Sequence, residues 1–521
     1  WTRCAYITRS TFHRTPLTRC KPCSISSVVC RCLPMPTSRC RKVRGPKMRD
    51  TWTLVSSAVV RLPPRWRSCC ARCGTAASLA LAELLARNTT LQSLMAIRIV
   101  SNKNLSNAVA ALIPAAASNA DSALVHLDLG GNTLSDKVLG TWANSLREWR
   151  TPMQSFSIRY SRCSAKPLSA LLSVLSASLG ASLRHLDVSG NAVGGRGTKA
   201  LVAWLRSPHC ALQHLKVRGA DVDVEQLITE GVYANEELSL VSIDVARSAL
   251  TDKAARTLAK LLAWSTSLHE VGIAHTKVSR ECLEAVCAAL LFNPLLNDVS
   301  IDISGNDCGA LVASRLASML VACPPDKVRS LRCADGDLGG AGLASIVKAL
   351  RRHRQLYRLV CDRNVLANER DDALPLQFAG LVLDCSNLHV LRVAGDIGPV
   401  EEADVSTSAE SSVSAASEDS AAAAQYGVFV VPMLQALSAP NCSVRRCDVS
   451  GNFIGVTAME PLCFLLKRNT SLVELKLLKN DFTEDGFRQL ALAVAENKTL
   501  TELPFPDGDM QRAAKSTHSR Q

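Results

Sequence analysis

One sentence pattern recurs along this chain and limits what it can fold into. It reads SALVHLDLGGN ending at Asn132, ASLRHLDVSGN ending at Asn191, CSVRRCDVSGN ending at Asn452, and NTSLVELKLLKN from Asn469 to Asn480. Apolar residues stand at positions 1, 4 and 6, and a polar or small residue, most visibly asparagine, stands near position 9. Position 1 falls at Leu91, Leu124, Met153, Leu183, Leu212, Leu240, Leu268, Asp298, Val328, Leu356, Leu388, Val444, Leu472 and Leu500, so that most steps are 28 to 30 residues. A unit of that size cannot bury its own apolar face, and a chain built from it gains stability by stacking each unit on the next.

The spacing predicts the contents of each unit. Positions 4 and 6, such as Leu186 and Val188, lie two apart and point to the same side of a short strand, inward. Asparagine then turns the chain, its amide able to satisfy backbone groups at the bend. In GTKALVAWLRS the apolar Ala200, Leu201, Trp204 and Leu205 recur at helical intervals and cover the strand layer. Strands sit ~4.8 Å apart and packed helices roughly 8 to 10 Å apart, so the stack is expected to curve with its strands inside. The expected fold class is α/β: a solenoid resembling the long leucine-rich repeat of the ribonuclease-inhibitor type, a horseshoe with a parallel concave sheet and convex helices. Positions 3, 5, 7 and 8 are expected to face outward on the concave wall.

Three domains follow. Residues 76–513 form the solenoid of about 14 units. The step from Leu388 to Val444 is one repeat too long, and its excess, the Ser-, Ala- and acid-rich segment 397–426, is expected to be an extruded loop without order of its own. Residues 1–75 carry 16 Lys or Arg against the single acid Asp50, so the formal charge of +14 describes this extension, and the remaining residues come to about −1. Nine of the 21 cysteines also lie there, at spacings that match no common zinc pattern; the segment is expected to be a disordered or spurious N-terminal extension. Residues 514–521 are a tail. Cys333, Cys361 and Cys447 fall on apolar repeat positions and are expected to be small buried hydrophobes, as in a reduced cytoplasmic protein. No apolar run approaches the ~18 to 20 residues that span a bilayer.

Candidate binding residues come from the outward positions. Position 3 supplies His126, His185 and His214, the last two on neighbouring strands with no third metal ligand in register, and no metal or other cofactor is assigned. Further along, Arg332, Arg358, Arg363, Arg392, Arg446 and Lys476 form a basic stripe interleaved with Asp335, Asp362 and Asp448; it is either a surface for an acidic protein or a peripheral membrane contact, or a mixed solvated face. Asn88, Asn104, Asn441, Asn469 and Asn497 match the glycosylation sequon, and in NTTL, NTSL and NKTL they precede a strand, which makes them turn residues. A nucleophile elbow, a phosphate loop and a catalytic carboxylate pair are all missing from the sequence, and no enzyme activity is expected.

The closing stretch carries a more specific likeness. A DVSGN unit is followed by KNDFTEDGFRQLALAVAENKTL and then by the proline-bearing LPFPDGD. This segment, Val444 to Ala513, resembles the end of the leucine-rich repeat domain of the CARMIL family, the capping-protein regulators and myosin linkers of the actin cytoskeleton. The resemblance implies a cytoplasmic, cytoskeleton-associated scaffold that regulates actin filament assembly through protein partners, among them actin-assembly proteins, with the concave wall and the repeat ends expected to bind proteins and able to form a homodimer. It implies no nucleic-acid binding. In that family a pleckstrin-homology domain precedes the repeats and the uncapping segment follows them; neither is expected here, so capping-protein binding is assigned to no residue. The alternatives are a Ran-type small-GTPase regulator, against which the basic MQRAAKSTHSR speaks, and a flagellar or axonemal leucine-rich repeat structural protein; an immune-receptor repeat region would need a nucleotide-binding domain.

Overall fold

The computed structural model describes residues 79, 81–95, 107–365, 373–395 and 430–518. The extension 1–75, the insert 397–426 and Asn104 lie outside the described residues. Thirteen short strands appear in chain order: β1 (Ser93–Met95), β2 (His126–Asp128), β3 (Ser155–Ser157), β4 (His185–Asp187), β5 (His214–Lys216), β6 (Ser242–Asp244), β7 (Glu270–Gly272), β8 (Val299–Asp302), β9 (Val328–Arg332), β10 (Arg358–Val360), β11 (Val390–Arg392), β12 (Arg446–Asp448) and β13 (Glu474–Lys476). Each pairs in parallel with its sequence neighbours in one open sheet; among the described residues β1 and β13 are the end strands, and Glu474 of β13 carries a further parallel bridge to Glu502. This is a leucine-rich repeat solenoid of α/β class.

Register is set by the apolar rung. Leu127 lies opposite Phe156, Phe156 opposite Leu186, and Leu186 opposite Leu215, so position 4 stacks on position 4 throughout. A shift of one residue would turn every such side chain to the other face. All thirteen position-4 residues, from Leu94 to Leu475, are buried, and one core runs from Ala82 to Ala493. Helices such as Asp136–Arg147, Ala165–Leu179, Asp252–Trp264 and Glu484–Glu496 follow the strands and close the other side of that core. In two of these helices the side chain at the N-cap, Thr251 or Thr483, accepts a hydrogen bond from the backbone N–H three residues on. After β5 the pattern changes: the three-residue helix Val224–Gln226 widens into a π-helical turn, Leu227–Val232.

Position 9 ties the repeats together. Asn191 is 3 % exposed; its amide donates to the carbonyls of Val188 and Ser189 in its own unit and of Ile158 in the unit before, while its oxygen accepts from the N–H groups of Ser161 and Cys163. Asn306, Asn364 and Asn452 repeat the arrangement on Ile273, Cys333 and Val393. These backbone groups sit at the bend, where the sheet ladder no longer pairs them, and would otherwise be buried without partners. A second series works on the helix-to-strand side. Asn88, Asn469 and Asn497 accept from the N–H of Leu91, Leu472 and Leu500, and the last two donate back to Leu437 and Leu466. Three of the sequons are therefore turn residues of the fold.

Four details depart from the sequence reading. Asp298 does not fill position 1 of its unit: it is exposed with φ +54°, Val299 takes the buried place, and the shortened unit pairs with β9 through a bulge. Position 7 faces inward more than out, since Gly130, Ser189, Ala246, Ala274, Ala334, Asp362, Ala394 and Ser450 are all buried. The cause is that interstrand bonding continues past the strand ends, as in Val188 N–H to Lys216 and Gly190 N–H to Arg218, which holds small side chains under the next unit. From β2 to β13 position 8 is left-handed except at Gly395, at Gly131, Gly190, Gly305 and Gly451 but also at Tyr160, His275, Asp335, Arg363 and Lys479. The rings of Tyr160 and His275 lie over Gly190 and Gly305 of the next unit and leave no room there for a Cβ. Finally, the array is closed by more than its prolines. Asp509, 1 % exposed in the helix Asp507–His518, accepts from the N–H of Asn480 at 2.8 Å, the place an asparagine of a further repeat would take.

Asn191→Ala removes an acceptor for two buried N–H groups and a donor for three carbonyls, and is expected to cost about 3 kcal/mol. Urea denaturation followed by circular dichroism measures it; a midpoint equal to wild type would show that these bonds do not hold the units together.

Candidate functional site

The outward side chains of the sheet come from positions 3 and 5, with contributions from position 8 at the following turn. The structure brings His185 and His214 together: they are opposite one another on β4 and β5, their rings parallel within 5° and 4.3 Å apart between centroids. Faces rather than nitrogen lone pairs meet, so the pair does not converge on a single point. Burial in the sheet face, followed by the charge of His214, pulls the His185 pKa down; burial also lowers that of His214, against the opposing charge of Glu270. His126 stands two strands away, across Ser155. Among the described residues no three His, Cys, Asp or Glu side chains gather around a metal-sized point.

The basic stripe divides into two kinds of residue. Arg332, Arg358, Arg392, Arg446 and Lys476 stand on the rungs of β9 to β13, whereas Arg363 stands at a left-handed position 8, on the turn beyond β10. Arg363 grips Asp335 of the preceding unit with two parallel bonds of 2.5 Å. Arg332 reaches Asp302 at 3.4 Å, Arg392 reaches Asp362 at 2.7 Å and Asp448 at 3.7 Å, and Arg446 and Lys476 each reach Glu474 at 3.5 Å. Most of these pairs cross a repeat boundary, so the stacking of the units fixes the pattern of charge. Asp362 is nearly as buried as Asp448, at 6 % against 5 % exposed. Burial pushes its carboxyl up to about 6, and the Arg392 guanidinium acts in the opposite direction.

Sequence reading missed a row that lies one residue before position 3. Arg329, Tyr357, His389 and Arg445 follow one another on adjacent strands, and the Tyr357 and His389 rings stack at 5.0 Å. The available signal was the pair of aromatic rings at one repeat position in consecutive units. A groove of about 160 Å³ opens elsewhere, between the π-helical turn and Trp264, lined by Val232, Leu240, Leu261 and Leu268. It holds no converging titratable groups beyond Glu236 and supports no chemistry. Cys333, Cys361 and Cys447 are buried beneath the rungs, their thiols pushed well above the usual range by that burial, and the twelve described cysteines are all free thiols. No helix among the described residues is long and apolar enough to cross a membrane.

Two titrations check these assignments. In NMR spectra both His185 and His214 are expected to protonate below 6.5, and His214→Ser should raise the His185 midpoint by removing a neighbouring charge and part of its cover; an unmoved midpoint would mean that the rings do not meet. For Asp362, the folded carboxyl holds its proton more tightly than the unfolded one, so folding takes up a proton between about pH 4 and 6 and this residue's contribution to stability falls as pH rises through that window. Relative to Asp362→Asn, the wild type is expected to lose on the order of 2 kcal/mol from pH 4 to pH 6; urea midpoints at both ends would show it.

No family model matches the chain. Among characterised proteins, it is 25% identical over 443 residues to Protein CARMIL of Dictyostelium discoideum, covering 82% of this chain and 38% of that protein. It is 23% identical over 441 residues to the Rho GTPase-activating protein gacW of the same organism, covering 84% and 34%. It is 25% identical over 417 residues to the human Capping protein, Arp2/3 and myosin-I linker protein 3, covering 77% and 28%. The chain thus spans about a third of the length of these relatives. In sequence and in architecture, the described residues form a CARMIL-like leucine-rich repeat domain.

Proposed function

We propose that this chain is a non-enzymatic scaffold that binds proteins of the actin cytoskeleton and takes part in regulating filament assembly in the cytoplasm. One observation carries the reading. The likeness to Protein CARMIL and to a protein named as a linker of capping protein, Arp2/3 and myosin-I runs over more than three quarters of the chain and coincides with an uninterrupted thirteen-stranded array. A solenoid offers few enclosed sites and a long exposed sheet, a surface suited to other macromolecules. The face proposed to meet partners is the outward side of the sheet, with His126, His185 and His214 near one end and Arg332, Arg358, Arg392, Arg446 and Lys476 near the other. Arg363 supports it from the turn.

A small-GTPase regulator is the second reading, favoured by the similarity to gacW over 84% of this chain. Capture experiments separate the two. The full chain, immobilised and exposed to a cell extract, is expected to recover actin-assembly proteins such as Arp2/3 or myosin-I, and Arg392→Glu with Arg446→Glu to lower that recovery at least fivefold. Recovery of Rho-family or Ran GTPases in their place would overturn the first reading in favour of the second.

A further inference from the structure

The row Arg329, Tyr357, His389 and Arg445 gives the basic end of the sheet a defined geometry. Tyr357 N–H donates to the Arg329 carbonyl, His389 N–H to that of Tyr357 and Arg445 N–H to that of His389, at 2.7, 2.9 and 3.0 Å. Each step is one strand spacing of ~4.8 Å, which sets the two arginines about 14 Å apart. Between them the row is rigid. Arg329 lies 5.4 Å over one face of Tyr357, His389 covers the other, and the His389 Nδ1 is held 2.7 Å from the Asn387 carbonyl. Arg329 is also the residue that the bulge between β8 and β9 leaves without an opposite number, which turns it out of the sheet.

Arg358 and Arg446 stand one residue beyond this row and Arg332 and Arg392 three residues beyond it, so six arginines gather on four adjacent strands. Arg329 and Arg445 are both exposed, and neither has a carboxylate partner among the described residues. The Arg446 side chain is 65 % exposed and meets Glu474 only at 3.5 Å. The patch has limits, since Asp302 on β8 and Glu474 on β13 stand at its two sides.

We propose that this patch binds an extended acidic peptide segment of a protein partner, laid across β9 to β12. The inference rests on the reading that the sheet face meets partners, and names what it takes. Side chains on one face of an extended peptide recur every ~6.6 to 6.8 Å, so residues i and i+4 stand about 13 to 14 Å apart, the separation of Arg329 and Arg445. The residue at i+2 then falls over the Tyr357 and His389 rings, with Arg358 one residue further along β10. The planar guanidinium fork takes carboxylates with two parallel bonds, which lysine does not. A nucleic-acid backbone would carry its phosphates past the four strands against the flanking Asp302 and Glu474. A bilayer would press on the flanking Asp302 and Glu474 as well, whereas a single peptide fits within the four strands.

The test uses the full chain and a fluorescein-labelled peptide of alternating Glu and Ser, nine residues long, read by fluorescence anisotropy. The wild type is expected to bind it with an affinity that falls steeply with salt. Arg329→Glu with Arg445→Glu, two exposed positions whose far-ultraviolet circular dichroism should match wild type, is expected to weaken binding at least tenfold, and the same peptide with Lys for Glu should not bind. Equal affinity of the double variant overturns the proposal, as does cosedimentation with phosphatidylserine vesicles in place of peptide binding. If the peptide fails to bind while the full chain still captures cytoskeletal proteins, this inference falls and the scaffold reading stands. Capture lost in Arg392→Glu with Arg446→Glu, and equally in the Arg329/Arg445 variant, supports both.

Discussion

The fold depends on how backbone groups at the bend after each strand find partners once the sheet ladder has ended. An apolar rung alone would stack the units but leave these N–H and C=O groups buried and unpaired, at a cost of about 1 to 3 kcal/mol for each. The amide of Asn191 and its counterparts resolves this by bonding to two units at once. Satisfying the backbone and joining the repeats are therefore one event. Asp509 shows the same requirement at the end of the array, where no further asparagine arrives and a carboxylate from the closing helix meets Asn480 in its place.

Because the units are joined so tightly, the outward side chains inherit a fixed order. Histidines stack on β4 and β5, acids gather on β6 to β8 at Asp244, Glu270 and Asp302, and arginines occupy β9 to β12. The ion pairs follow the stacking: Asp302 serves Arg332, Asp335 serves Arg363, and Asp362 serves Arg392. The partly exposed pairs among them, such as Arg363 with Asp335, contribute little stability each. Their effect is on orientation, since they hold long guanidinium side chains in known places.

Much of this was legible in the sequence, and the reason lies in burial. Positions 4 and 6 are apolar in nearly every unit, and about half of the units carry an asparagine at position 9 that can also serve the bend before it, so Leu186, Val188 and Asn191 announce themselves. The face of the sheet is under no such demand. His185 and Arg392 could be placed on it by counting, but their stacking and pairing depend on side chains one repeat away. Tyr357 and His389 went unnoticed because the residue before position 3 has no rule of its own. Asp298 misled because a bulge displaced the register by one, and position 7 misled because interstrand bonding beyond the strand ends has no mark in hydropathy. The three-residue helix after Asp223 and its π-helical continuation were equally silent, since Leu227 and Ile228 suit either kind of turn.

The left-handed turn at position 8 has a bearing on how such an array can change over time. Tyr160 and His275 there each meet a glycine at the same place in the unit that follows and leave no room for a Cβ, and Arg363 meets the carboxylate in the unit that precedes it. These modules thus carry a lock shaped for one particular neighbour. Loss or duplication of a single module would set mismatched edges against each other, so arrays of this type should grow or shrink in matched blocks, and their length should drift far more slowly than the loops between them.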